Sequence, residues 1–405
     1  MKLSVAYSFQ PGLIEKIAQF KEVYEIFGKL DKDFIGGGRS AYTLRKVTKG
    51  MVKQAVKQAH KAKISFNYLL NGATLQGIEQ TRSGQKKIRA MLDFLSDAGV
   101  DSLTVASPYL LRLIKRQYPH FLVRASAFAV IDNPHKALQW EDMGADTLCV
   151  SAIACNRDFS MLAAIRQAVR CDLQLIANAC CLLNCSHELT HMNMLTRSSR
   201  SGDPLGGFCL DYCFLNCSRA RISDPVNYIR STWIRPEDLE EYEKLGYTNF
   251  KILERSCSPE ILLKRVAAYV NRHFEGNLYA LVNPVAQLSA KGGASLAQRI
   301  RLVLTMARPE KVKVRSLLAM KGYAKRIIEQ DFFSTSAPVY IDNTRLNGFI
   351  RGLRKRNCAR LLCETCRYCH EWADRTVTVD PTYRAETLQQ ARDLDEGLVT
   401  GRHWF

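Results

Sequence analysis

The chain lacks most of the signatures that would assign it a familiar chemistry. No apolar run approaches the roughly eighteen residues of a membrane span, so none is expected. Met1–Phe9 reads as a short strand, with no long apolar stretch behind a basic start. It does not resemble a signal peptide, and the expected compartment is the cytoplasm. No Gly-x-Gly-x-x-Gly follows the first strand, which counts against a dinucleotide fold. Walker, Gly-x-Ser-x-Gly and His-Glu-x-x-His patterns are also missing, so no nucleophile constellation is legible. Acids are scarce: 39 Asp and Glu stand against 58 Lys and Arg, a formal charge of +19. Such an excess favours anionic partners, whether RNA, an acidic protein, or a phosphorylated or carboxylated ligand. It is spread along the chain without a long single-sign block, so a merely basic, solvated surface remains the alternative.

Cysteine is what the chain has in plenty. It carries 14, and most crowd into two short stretches. The first runs Cys180, Cys181, Cys185, Cys209, Cys213, Cys217. The second runs Cys358, Cys363, Cys366, Cys369. In a reducing compartment such density reads as metal ligation rather than disulfides. The isolated Cys149, Cys155 and Cys171 read as buried packing residues, and Cys257 stays open. Zinc knuckles prefer two-residue gaps, so the three-residue gaps of the first group lean towards iron–sulfur. The expected ligands there are Cys181, Cys185, Cys213 and Cys217, with Cys180 and Cys209 as spares. The tighter gaps of Cys358, Cys363, Cys366 and Cys369 suit a second [4Fe–4S] cluster, with structural zinc as the alternative and His370 able to replace one thiolate.

Strand–helix alternation through the first 285 residues predicts parallel strands joined by crossover helices. Strands are expected at Leu3–Ser8, Glu22–Phe27, Ile64–Leu70, Ser102–Ala106, Leu122–Phe128, Thr147–Val150, Leu173–Asn178, Phe250–Leu253 and Leu278–Val282. Helical patterns lie between them, among them Met51–Ala62, Gly84–Ala98 and Phe159–Val169. About eight such units favour an α/β fold of the (β/α)₈ TIM-like type, with an open doubly wound sheet as the alternative. A domain boundary is expected near 285–295, where Lys291-Gly292-Gly293 reads as a linker. This divides the chain into a barrel, residues 1–288, and a smaller basic cysteine-containing domain, residues 289–405. The stretch 178–224 reads as a long irregular loop tied down by metal at both ends.

In such a barrel the carboxyl ends of the strands carry the active site. Asn71 and Asn178 stand at strand ends and are candidate substrate contacts. Arg39 ends the Gly36-Gly37-Gly38 run, which reads equally as an anion-binding backbone nest or a plain turn. Arg235, Lys251 and Arg255 are candidates to clamp a carboxylate or phosphate. Glu237 joins the substrate-side candidates, although its place at a helix start explains it structurally as well. His187 and His191 lie four apart, and His191 is the candidate acid–base group or hydrogen-bond donor.

Several of these stretches together resemble the peptidase U32, or collagenase-like protease, family. They are Asn178-Ala-Cys-Cys-Leu-Leu-Asn-Cys185 with His191 following, Cys217 ahead of Asp224-Pro225, Trp233-Ile-Arg-Pro-Glu-Asp238, Phe250-Lys-Ile-Leu-Glu-Arg255, the Gly36–Arg39 run and Asn156-Arg-Asp-Phe159. The likeness spans roughly residues 1–285. It implies a TIM-like domain and, in several members, a [4Fe–4S] cluster held by four cysteines. It also implies oxygen-independent hydroxylation of a ubiquinone-precursor ring or of an RNA pyrimidine, with prephenate as the suspected hydroxyl source. The second cysteine group resembles a C-terminal addition of some relatives.

The expected function is therefore an iron–sulfur-dependent, oxygen-independent hydroxylase, or an essential subunit of one, taking a small carboxylated or aromatic ligand. Expected partners are RNA, a related U32-type subunit or an electron donor. The alternatives are a non-catalytic iron–sulfur RNA-binding or partner subunit, and a U32-type peptidase.

Overall fold

Short apolar runs alternating with capped amphipathic stretches produce eight parallel strands that close on themselves. In the computed structural model, which describes residues 1–203, 205, 207, 209, 211–284, 313–358 and 361–405, the strands follow chain order around the barrel. They are β1 Lys2–Ala6, β2 Val23–Gly28, β3 Ser65–Leu70, β4 Ser102–Val105, β5 Leu122–Ala125, β6 Thr147–Cys149, β7 Asp172–Ile176 and β8 Asn249–Ile252. β8 returns to β1, with Leu3 opposite Phe250 and Val5 opposite Ile252. This is a TIM-like (β/α)₈ barrel, and closure removes both sheet edges.

Several crossover helices start where the chain supplies a cap. Ser107 accepts from the Leu110 amide ahead of Pro108, Asn133 from Lys136 ahead of Pro134, and Ser258 from Ile261 ahead of Pro259. Each cap satisfies an otherwise orphaned N–H and is worth about 1 kcal/mol.

The barrel floor is polar, where branched apolar layers are usual. Glu25 accepts from Ser4 at 2.5 Å, from Ser102 at 3.1 Å and from Arg124 at 2.6 and 3.0 Å, all of them buried. A buried ion pair is tolerated when its remaining valences are filled, as the Glu25 carboxylate's are here. The Arg124 charge, against the opposing effect of burial, holds Glu25 below the usual carboxylate range.

Three features differ from the sequence reading. Leu278–Val282 is a short buried helix capped by Asn277, not a ninth strand. A closed barrel offers no edge for another strand to join. The stretch 178–224 is only partly irregular: it contains a lid helix, Glu188–Ser198, and a cysteine helix, Tyr212–Ser223. A two-stranded antiparallel sheet, β9 Val339–Ile341 with β10 Val377–Val379, lies in the C-terminal part.

The boundary near 285–295 (that is, 288/289), the Lys291–Gly293 linker and the Leu302–Met306 segment lie outside the described residues. The described C-terminal residues pack directly on the barrel. Arg384 donates to the Ile222 and Ser223 carbonyls at the end of the cysteine helix. Asn277 donates to the Phe332 and Val339 carbonyls.

Candidate metal-thiolate sites and barrel mouth

The lid helix seats on the loops after β2 and β3. Thr196 Oγ1 accepts from the Ala73 amide at 2.9 Å, and Ser199 Oγ accepts from the Gly37 amide at 2.6 Å. Asp33 accepts from the Ile35 and Gly36 amides. The Gly36 and Gly37 amides are thus engaged within the protein, and the run serves close packing rather than an anion nest. A Cβ on Gly37 would stand 2.9 Å from Asn71 Oδ1, and Gly36 has φ +82° with Thr196 O in the way of a side chain.

Beneath the lid, charged groups gather at the strand ends. Lys29 and Asp33 pair at 2.9 Å, both buried. Arg39 is gripped by Glu254 through two bonds of 3.0 Å. Glu254 has φ 107°, a costly backbone for a residue with a side chain, and it holds this pose at the end of β8. Lys251 points into the barrel with its ammonium 4.1 Å from the Phe27 ring centroid. Burial, reinforced by the Arg124 and Arg255 charges and opposed by Cys149 and Glu25, brings Lys251 down to about 8. Burial and then the Arg39 charge bring Arg255 down to about 10. Among the described residues neither the Lys251 nor the Arg255 side chain has a hydrogen-bond or ion-pair partner. The mouth therefore keeps uncompensated positive charge in a low-dielectric setting.

The first cysteine group opens onto this mouth. Cys180, Cys181 and Cys185 follow β7, while Cys213 and Cys217 share one face of the cysteine helix four residues apart. Cys181 is exposed to solvent, although protein crowds around it on the inner side. That crowding, then the neighbouring Cys180 and Cys217, push it up to about 12. Burial, then Asp211 and Cys185, push Cys213 up to about 11. Burial raises Cys217 despite the opposing Arg221 charge. Arg221 is buried, donates to the Cys180 carbonyl at 2.9 Å and lies 3.6 Å from Cys217 Sγ. Cys209 interacts with Asp211, Arg197 and Ser198 instead of with the other thiols. A cleft of about 650 Å³ borders Cys185, with His187, Arg219 and Arg392 on its walls.

The second group lines a small pocket of its own: Cys358, Cys363, Cys366 and Cys369, with His370 and Arg356. Burial raises Cys358, and it pushes Cys369 up to about 12; neighbouring thiols add to both shifts and the Arg157 charge opposes them. All described cysteines are free thiols. Among the described residues, no three Cys, His, Asp or Glu side chains already stand in a metal-holding arrangement. The donor chemistry nonetheless fits a soft cation. Thiols that raise one another's pKa are released to thiolate by a positive centre between them, and each group has a buried arginine beside it.

The remaining candidates divide. His191 Nε2 lies 2.9 Å from Asp211, the cap of the cysteine helix, so it stands beside the first group. Asn71 donates to Ser126 at 3.4 Å and leaves a buried Oδ1 without a partner at the mouth. Asn178, by contrast, uses both ends of its amide on Leu253, at 2.7 and 3.1 Å, clamping β7 to β8. Arg235 is turned away from the mouth. It pairs with Asp238 at 3.1 Å and donates to the Asn343 carbonyl at 2.8 Å and to Asn347 at 3.1 Å. Glu237 accepts from the Phe274 amide and from Asn343. Arg235 and Glu237 therefore tether the C-terminal region to the barrel. Cys149 and Cys155 are buried as expected, Cys171 only partly so, and Cys257 is buried with its thiol on the Glu254 carbonyl. Sequence reasoning missed Lys29, Asp33, Glu254, Arg221 and Arg157. Three of them lie inside or beside motif stretches, but no spacing rule marks a single buried charge.

The model of peptidase family U32 matches residues 29–273, more than half of the chain. The chain belongs to peptidase family U32. An uncharacterized protease of Methanocaldococcus jannaschii is 28% identical over 359 residues, covering 89% of this chain and 90% of the relative. The solved structure of a U32 peptidase is similar at 22% identity with a TM-score of 0.47, covering 63% of this U32 chain and 93% of that one. Phosphoribosyl anthranilate isomerase of Thermus thermophilus is similar at 11% identity with a TM-score of 0.36, covering 67% and 98%.

Proposed function

We propose that this U32 protein is an oxygen-independent hydroxylase that binds a small carboxylated donor at its barrel mouth and holds a [4Fe–4S] cluster on Cys181, Cys185, Cys213 and Cys217. The observation that carries this reading is the pair of buried cationic side chains Lys251 and Arg255, with no hydrogen-bond or ion-pair partner among the described residues, beside Arg39, which Glu254 holds and on which Cys181 also acts. A cluster bound there would supply one-electron transfer or a Lewis-acid site. The protein's own side chains do the rest. Lys251 and Arg255 neutralise donor carboxylates where water is excluded. Glu254 fixes Arg39, and the lid helix covers the site. His191, paired with Asp211 at 2.9 Å, would hold or deliver a proton.

The reaction balances without dioxygen. An acceptor C–H and a donor C–OH become an acceptor C–OH and a donor C–H, so the two-electron oxidation of one is the reduction of the other. Prephenate is the donor that the family resemblance suggests. The cleft beside Cys185 is a route for an aromatic ring or nucleobase acceptor, and the basic surface suits RNA. A related U32 subunit or an electron donor remains a partner to test.

The peptidase reading draws on the family name and on the His191–Asp211 pair, which resembles part of a cysteine-protease triad. Against it, burial and then Asp211 push the Cys209 and Cys213 thiols up rather than activating them, and no thiol is hydrogen-bonded to His191 among the described residues. Incubating anaerobically prepared protein with prephenate and candidate ring or RNA acceptors, followed by mass spectrometry, tests the proposal. A gain of one oxygen atom in the acceptor supports it. Peptide cleavage by the metal-replete protein, with no oxygen gain, refutes it.

A further inference from the structure

Arg157 is a buried charge with no carboxylate paired to it among the described residues. It follows β6, where the chain turns through Asn156 into the helix Phe159–Ala168, and it is 2% exposed. Its Nε donates to the Ser231 carbonyl at 2.9 Å. Its two terminal nitrogens are buried with no hydrogen-bond partner. The guanidinium stacks over Trp233 at 4.1 Å and lies 5.3 Å from the Phe349 ring, which fixes its plane. Asp238 acts on it only at a distance, because that carboxylate is bound to Arg235. The Tyr242 phenol, which donates to the Asn156 carbonyl, also stands beside the guanidinium, but a neutral phenol does not balance its charge.

Leaving a guanidinium unpaired in the interior costs several kcal/mol in general, so an anion is expected beside it. The groups standing there are Cys358 and Cys369. Phe349, 5.3 Å from the guanidinium, stacks on Tyr368 at 5.7 Å, and Tyr368 lines the pocket with all four thiols, so the arginine stands one ring away from them. Neutral thiols or disulfides would leave the arginine uncompensated. Four thiolates around Zn²⁺ or a [4Fe–4S]²⁺ core carry a net charge of about −2 in either case. His370, whose Nδ1 is also buried and unpartnered, lines the same pocket.

We propose that Arg157 is the charge partner of an anionic four-thiolate metal centre at Cys358, Cys363, Cys366 and Cys369, reaching across from the barrel to hold the C-terminal region in place. Arg157 is a positioning residue: it stabilises thiolate over thiol and does not itself ligate. This inference shares with the hydroxylase reading only the idea that the thiols bind metal.

The test uses the full chain with the first group disabled by Cys181→Ala, so that absence of a first-site cluster does not affect the result. Iron, sulfide and zinc per chain are measured, and metal release is followed as pH is lowered. Removing the Arg157 charge makes the thiolates easier to protonate, so Arg157→Met should release metal at a pH higher by about one unit. Arg157→Lys should stay near the wild-type midpoint, which a purely steric role would not predict. Cys366→Ala should remove the remaining metal, and the element lost distinguishes zinc from iron–sulfur. Should Arg157→Met not fold, the Lys and Cys366 variants carry the test. The proposal is overturned if Arg157→Met releases metal as wild type does, if folded Arg157→Lys loses it entirely, or if Cys366→Ala changes no metal content.

Discussion

Lys251 offers a prediction whose size follows from its surroundings. It is buried among Cys149, Arg124, Glu25 and Arg255, and its pKa is brought down to about 8. A carboxylate at the barrel mouth needs the protonated ammonium. The free protein holds that form in about nine-tenths of molecules at pH 7 and about one-tenth at pH 9. Affinity for a carboxylated ligand should therefore fall about tenfold across that interval, with the loss centred near pH 8. The sign is fixed by the direction of the shift. The attractive charge is present below the folded pKa and lost above it. Isothermal titration calorimetry with prephenate in a pH series would measure this, together with proton uptake on binding above pH 8. Lys251→Met should bind about tenfold to a hundredfold more weakly at pH 7 and should lack the alkaline limb. Binding that is flat from pH 7 to 9, or a limb that survives in Lys251→Met, would refute the assignment of Lys251 to the ligand.

Three substitutions test the packing that builds the site. Gly36→Ala places a Cβ against Thr196 O at φ +82°, so thermal unfolding should show a loss of about 2 kcal/mol and proteolysis should nick the lid helix sooner. Asn178→Ala removes both bonds to Leu253 and should cost about 2 kcal/mol in a denaturant melt while leaving ligand affinity unchanged. Arg235→Met strands the buried Asp238 and cuts the tether to Asn343 and Asn347. It should destabilise the protein by about 3 kcal/mol in the same melt.

The barrel was legible because its signal is local. Each strand is a short run rich in apolar residues and many of the crossover helices begin at a cap such as Ser107-Pro108, so local pattern places them. Leu278–Val282 is where that fails: five apolar residues have no period, and only the closed barrel decides that they coil. The second cysteine group illustrates the same locality, since residues close in sequence need little loop closure to line one pocket, as Cys358, Cys363, Cys366 and Cys369 do. Individual side chains were not. Arg235 and Lys251 look alike in the sequence, yet one is spent on Asp238 and the C-terminal region while the other stands unpaired in the barrel. Asn178 and Asn71 both end strands, yet one clamps Leu253 and the other keeps a free acceptor at the mouth. Those differences arise from contacts between residues far apart in the chain, such as Arg39 with Glu254.

The central claim is that two separate thiolate groups hold metal. Iron, sulfide and zinc content of anaerobically purified protein, measured beside Cys181→Ala and Cys366→Ala, tests it most directly. Each variant should lose the metal of its own group and keep that of the other, with iron and sulfide leaving together in Cys181→Ala. Wild-type protein that binds neither iron nor zinc, or variants whose metal content equals that of wild type, would contradict the account.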